Sequence, residues 1–244
     1  MSRYLFDVHL HTHHSYDSLQ TPRKLVQTAR RAGLSSVIVT DHNTIRGGVA
    51  ARRIARDDSI GLLVFVGAEI KTEHGDVIGF FLNEEIKSRN YHEAIDEIRA
   101  QDGIVYLPHP FARYTSVNDM DLNRIQVIEA YNGRQNMDQN RAALELAKKM
   151  KIPFLGGSDA HLQCEVGTVV NSTDVDVTQE DVLRRVILDN TSSIHVKRIQ
   201  PPLLPRFRMT QYMSWVRSGN SIRVAKRVKL YLLRRARLVT GLST

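Results

Sequence analysis

The sequence predicts an α/β barrel, closed or nearly so, followed by a separate basic segment. Three features support this. Short apolar runs alternate with amphipathic stretches along most of the 244 residues, which is the pattern of a parallel sheet with crossover helices. About seven such strand–helix units follow one another, and a chain of this length suffices for one barrel domain. Charge is also divided unevenly. The chain holds 34 Lys and Arg against 26 Asp and Glu, a net of +8, yet residues 197–244 hold 12 basic residues and no acid. Taking those 12 away leaves 22 basic and 26 acidic residues in 1–196, a net of −4. A mildly acidic body (1–196) and a polycationic extension (197–244) are therefore expected.

The elements follow in order. Residues 4–10 read as a strand. Thr21 and Pro22 then supply an N-cap and a first-turn proline, opening a helix to about Ala32 that Gly33 ends. Residues 36–40 are β-branched and apolar, hence a buried strand. Residues 46–56 read as a helix and 62–68 as a strand, with 75–82 adding a short strand as a hairpin with its predecessor. A helix over 91–101 is stopped by Gly103, and 104–107 is a strand. Strand 125–130, helix 138–150, strand 153–156, helix 178–188 and strand 193–196 complete the body. Pro201, Pro202 and Pro205 interrupt regular structure and mark its boundary with the extension.

No apolar run approaches membrane-spanning length. The first residues have no apolar core or small-residue cleavage site of a secretory leader. The single cysteine, Cys164, cannot form an internal disulfide, and nothing nearby marks it as a nucleophile. A cytoplasmic location is expected.

The chemistry-bearing residues fall at strand ends. Asp7, His9 and His11 alternate on the first strand, so both histidines point to one side. Asp17 follows in a loop, Asp41 and His42 come after the second strand, Glu69 ends the third and His109 follows the fourth. Glu129 lies in the fifth, and Asp159 and His161 follow the sixth. Functional groups of parallel barrels gather where the βα loops converge. Imidazoles and carboxylates together are the ligand set for Zn, Mn or Fe. A lone His-x-His can be a solvated pair, and Asp-His after a strand can be a turn or helix cap. Five such motifs at successive strand ends point instead to a metal site.

Asp7-Val-His-Leu-His11, Thr40-Asp-His42, Gly67-Ala-Glu69, Pro108-His-Pro110 and Gly157-Ser-Asp-Ala-His161 resemble, in this order, the signature of the PHP family (polymerase and histidinol phosphatase) over about residues 5–195. The resemblance implies a distorted (β/α)7 barrel, two or three divalent ions (Mn, Fe or Zn) and phosphoester hydrolysis. By position, His9, His11, Glu69 and Asp159 would hold one ion. Glu69 would bridge to a second, bound also by His109, and Asp17, His42 and His161 would hold a third. Where many relatives carry a further histidine, this chain has Asp76-Val-Ile-Gly79, so Asp76 ligates, neighbouring His74 swings in, or the second ion is weakly held.

Metal ions lower the pKa of bound water to supply hydroxide and clamp phosphoryl oxygens. His42, His161 and Asp159 are the residues expected to act in catalysis. Asp7 and Asp41 read equally as orienters of imidazoles or as caps. Arg46, Arg113 and Asn132 are placed in sequence to reach an anionic substrate. His13, His14, His92 and His195 read as loop, surface or packing residues.

In the extension, Val224, Val228, Leu232 and Val239 fall on one side at helical spacing, with Arg223, Lys226, Arg227, Arg234 and Arg237 opposite. Such a helix docks on the barrel, lies on an anionic membrane surface, or binds nucleic acid or a protein. Trp215 and Tyr212 before it suit an interfacial anchor and packing equally. The expected function is hydrolysis of a small phosphorylated metabolite or nucleotide. The rivals are a nuclease and a non-catalytic metal-binding regulatory module.

Overall fold

The computed structural model describes residues 3–112, 115–197 and Val216. Arg113 and the predicted basic helix lie outside the described residues, so neither expectation meets a structure here.

The first element is β1 (Tyr4–Leu10). Helix α1 (Pro22–Arg31) follows, its N-cap Thr21 accepting from the Lys24 amide with Pro22 in the first turn. Gly33 takes the positive φ of +79° that ends it. Next come β2 (Ser36–His42), α2 (Arg46–Asp57), β3 (Leu63–Lys71) and β4 (Asp76–Phe80). Helix α3 (Tyr91–Ala100) is capped by Asn90 and precedes β5 (Ile104–Leu107). Strand β6 (Val127–Asn132) leads to α4 (Met137–Met150), which opens on a reciprocal box between Asn136 and Gln139. The chain closes with β7 (Phe154–Gly157), β8 (Val169–Thr173), α5 (Glu180–Leu188) and β9 (Ser193–Val196).

The strands form one sheet in the order β7-β6-β5-β4-β3-β2-β1-β8-β9. Strands β1, β2 and β3 are parallel, β4 runs antiparallel between β3 and β5, and β6 and β7 resume the parallel run. The predicted hairpin of the third strand with its successor is present. The strand β8, which the sequence reading passed over, pairs antiparallel with β1 and then with β9.

Beyond β7, Ala160 bridges Leu10 and accepts from the His11 amide at 2.9 Å, bringing the two ends of the seven-strand run together. Side chains complete this seam. The Asn171 amide exchanges two hydrogen bonds with the Gly156 backbone, at 2.9 and 2.8 Å, as a strand would. Asp7 accepts from the amides of His9, Ser158 and Gly167. The result is a nearly closed, distorted α/β barrel.

Ile38, Phe65, Ile78, Tyr106, Val127 and Leu155, from six strands, form one buried cluster, and only the barrel interior lets six strands meet. Residues two apart on a strand share a face. Glu69 therefore stands on the side of Phe65, and Glu129 on the side of Val127. The interior carries an apolar layer below and acidic groups above, nearer the carboxyl ends of the strands.

Candidate metal centre

The ends of β1, β2, β3 and β6 and the segments after β1, β5 and β7 place nine side chains together. Glu69 is at the middle. Its Oε2 faces His42 Nδ1 at 3.1 Å, His11 Nε2 at 3.3 Å and His9 Nε2 at 3.4 Å, and its Oε1 faces His109 Nε2 at 2.9 Å. Asp159 Oδ1 faces His11 Nε2 at 3.3 Å, His161 Nδ1 at 3.4 Å and His9 Nε2 at 3.6 Å. Asp17 joins His161 and His42 at 3.2 and 3.5 Å.

Three donor sets emerge: His11, His42 and His161; His9, Glu69 and His109; and His9, His11 and Asp159, each with its ligand atoms within 4.8 Å of one another. His11 tests whether an ion fits. Its Nε2 is buried and has no aligned hydrogen-bond partner, yet it points between two carboxylates. An orphaned lone pair there is costly unless a cation takes it. The nitrogen and oxygen donors suit Zn, Mn or Fe.

The ring orientations are set from outside the cage. Glu129 Oε1 accepts from His9 Nδ1 at 2.9 Å, which turns Nε2 inward. Its Oε2 accepts from the His109 amide and from Asn132 Nδ2, both at 2.8 Å. Ser15 does the same for His11: its Oγ donates to Asp41 at 2.7 Å and accepts from His11 Nδ1 at 3.1 Å and from the His42 amide at 2.9 Å. Asp41 also accepts from the Thr12 amide and hydroxyl. Thus Asp41 acts on imidazoles through Ser15, whereas Asp7 binds backbone amides. Gly47 makes this possible, because a Cβ there would overlap the Asp41 carboxylate and the Thr12 hydroxyl. His109 and Asp159 adopt φ of +29° and +51°. Such backbones cost on the order of 1–3 kcal/mol each and persist where surroundings over-determine them.

Ionisation follows from this crowding. Burial opposes charge on His42, but Glu69 and Asp17 outweigh it and raise it to about 10. Burial likewise opposes charge on His109, and Glu69 raises it to about 9. Burial lowers His11 to about 3, helped by its neighbours His161 and His42. Against burial, His42 and His9 hold Glu69 well below the usual carboxylate range, as His9, His11 and His161 do for Asp159.

The sign of the resulting pH dependence is fixed. His42 and His109 are raised above 6.5, so their stabilisation of the metal-free protein is complete below pH 6.5 and lost as pH rises through about 9 and 10. Melting in chelator should therefore fall between pH 6.5 and about 10, while ions, which need neutral imidazoles, remove this fall. An unchanged difference between metal-free and metal-loaded melts across that range would contradict it.

Three residues singled out in the sequence take the following positions. Arg46 is highly exposed and faces Glu85 at 3.9 Å in an outer groove shared with Val49 and Arg53 and lined by none of the cage residues, because the start of α2 turns it outward. Asn132 is buried, its amide held by Glu129 and by Asp159 Oδ2 at 3.2 Å, so it helps orient the cage. His74 faces Glu73 and packs edge-on to Tyr91, away from the three donor sets. Asp76 is buried beside the cage, where burial and then Glu69 raise it to about 6, although it joins none of the three donor sets. No role for Glu129 was legible in the sequence, and Ser15 and Arg134 went unmarked. The Arg134 guanidinium lies 3.7 Å from Glu165 and helps hold Asp159 ionised.

The model of the PHP domain matches residues 7–131, just over half of the chain, and that of the PHP-associated region matches 138–192. The chain belongs to the PHP family. An uncharacterised protein of Methanocaldococcus jannaschii is 35% identical to this PHP protein over 162 residues, 59% of this chain and 94% of that one. Among solved structures, a two-domain Bacteroides vulgatus protein containing a predicted PHP-like metal-dependent phosphoesterase matches with a TM-score of 0.69 at 19% identity. That match covers 86% of this chain and 70% of the other. A lesion-specific endonuclease of Pyrococcus furiosus matches with a TM-score of 0.58 at 16% identity, covering 79% and 58%. At such identities the structures share the PHP fold with this chain and nothing finer.

Proposed function

We propose that this protein is a metal-dependent phosphoesterase acting on a small phosphorylated metabolite or nucleotide. The observation that carries this reading is the buried His11 Nε2, aimed between Glu69 and Asp159 at 3.3 Å from each with no aligned partner of its own. When bound, two or three divalent ions (Mn, Fe or Zn) supply an activated water and neutralise phosphoryl oxygens. His9, His11, Glu69 and Asp159 would hold one, Glu69 and His109 the second with Asp76 beside them, and Asp17, His42 and His161 the third.

The chain's own groups do the positioning. Asp159 faces His9, His11 and His161, so it would hold an ion together with these imidazoles, which is the catalytic role assigned to it. His42 and His161 share Asp17 and with it would hold the third. Arg134 is the cation we assign to the anionic oxygens of the substrate. Protein loaded with Mn, Fe or Zn should hydrolyse an aryl phosphate, and His9→Ala or Asp159→Ala should abolish this. Full activity in rigorously metal-free protein overturns the reading, and silence on all phosphoesters at full metal occupancy favours a regulatory metal-binding module.

A nuclease reading is supported by the 12 basic and no acidic residues of 197–244. Removing 201–244 should then weaken DNA binding and flatten its salt dependence. A metabolite phosphatase would keep its small-substrate kinetics. No helix among the described residues is long and apolar enough to cross a membrane. Contact of the basic extension with an anionic membrane surface remains part of the same proposal, and binding to anionic vesicles tests it.

A further inference from the structure

Tyr16 is 48% exposed although it stands beside the cage. Both chain neighbours are fixed: Ser15 by Asp41 and the His42 amide, Asp17 by His42 and His161. One face of the phenol ring lies on the His42 imidazole, with centroids 4.9 Å apart and planes 18° apart. His42 lies 4.5 Å from His11, and His11 4.2 Å from His161. Tyr16 thus ends a run of four aromatic rings that begins among the metal donors, and nearly half of it is open to solvent. A rigid aromatic at the mouth of an anion-processing site offers a ligand a surface whose ordering cost is already met.

We propose that Tyr16 is the stacking platform for a planar ring of the substrate, so that the preferred ligand is a phosphoester carrying a nucleobase or aryl group close to its phosphate. This rests on the phosphoesterase reading and narrows it to a substrate class. Stacking of a base on an aromatic side chain corresponds to discrimination on the order of tenfold.

Calorimetry on the metal-loaded full chain tests this, using two phosphonate analogues whose C–P bond resists hydrolysis, one of adenosine monophosphate and one of ribose 5-phosphate. The adenosine analogue should bind roughly tenfold more tightly. Tyr16→Phe should keep that ratio and Tyr16→Ala should lose it, with metal content equal in all three proteins. Equal binding of both analogues to the unmodified protein overturns the platform and leaves the phosphoesterase reading standing. Loss of both ligands alike, or of metal, in Tyr16→Ala overturns it too, because the ring then merely props His42. If neither analogue binds the unmodified protein, the phosphoesterase reading falls and this inference falls with it.

Discussion

Glu69→Gln is expected to strip ions from the cage and to lower turnover by more than the ~10- to 100-fold typical of losing an orienting group. Glu69 alone reaches four imidazoles, those of His9, His11, His42 and His109. Glutamine keeps the shape but removes the charge and turns an NH2 toward nitrogens that should face a cation. The metal-free protein should also suffer. Glu69 helps hold His9, His42 and His109 protonated in a buried site, and an ion pair broken by removing one partner costs about 3–5 kcal/mol. The imidazoles can escape by losing their protons, so the stability loss should be larger at pH 6 than at pH 9. Elemental analysis and paired thermal melts at those two values check both parts. A Glu69→Gln protein with full metal content and unaltered turnover would remove Glu69 from the bridging position.

The second large effect is expected from Gly157→Ala. A Cβ at this position meets the Glu129 carboxylate and comes within 2.6 Å of His9 Cβ. Neither can yield easily: Glu129 also accepts from the His109 amide and from Asn132, and His9 is fully buried on β1. Overpacking of this kind costs about 1–3 kcal/mol. Pushing Glu129 aside frees His9 Nδ1, so metal affinity should fall about 10- to 100-fold. Metal titration followed by a melt separates the two contributions. Affinity equal to that of the unmodified protein would show that Glu129 does not aim His9.

Much of this centre was legible because strand ends deposit their chemistry at regular points along the chain. Asp7 to His11, Asp41-His42, Glu69, His109 and Asp159 to His161 could be found as residue types in order, and all reach one place. What escaped depends on pairings far apart in sequence. Glu129 and His9 are 120 residues apart, and nothing local marks one as the other's partner. Nothing local marks Ser15, because its value lies in joining Asp41 to His11 and His42. Strand β8 escaped because Val169 and Val170 are followed by Asn, Ser and Thr, which read as loop. Their burial is supplied by β1 and β9, which the local pattern does not show. Arg46 misled through proximity along the chain: it lies four residues from His42, but the first turn of α2 directs it to Glu85.

The barrel seam has a consequence for biogenesis. It is sewn by side chains, Asp7 to Ser158 across 151 residues and Asn171 to Gly156, and the donors sit on both banks: His9 and His11 on one, Asp159 and His161 on the other. Until the segment beyond β7 has been made, a nascent chain holds His9, His11, Asp17, His42, Glu69 and His109 but lacks Asp159 and His161. The donor sets that include Asp159 or His161 are incomplete until that segment emerges. Once loaded, the ions clasp early-made to late-made chain, so starving the cell of them should loosen the molecule first along this line.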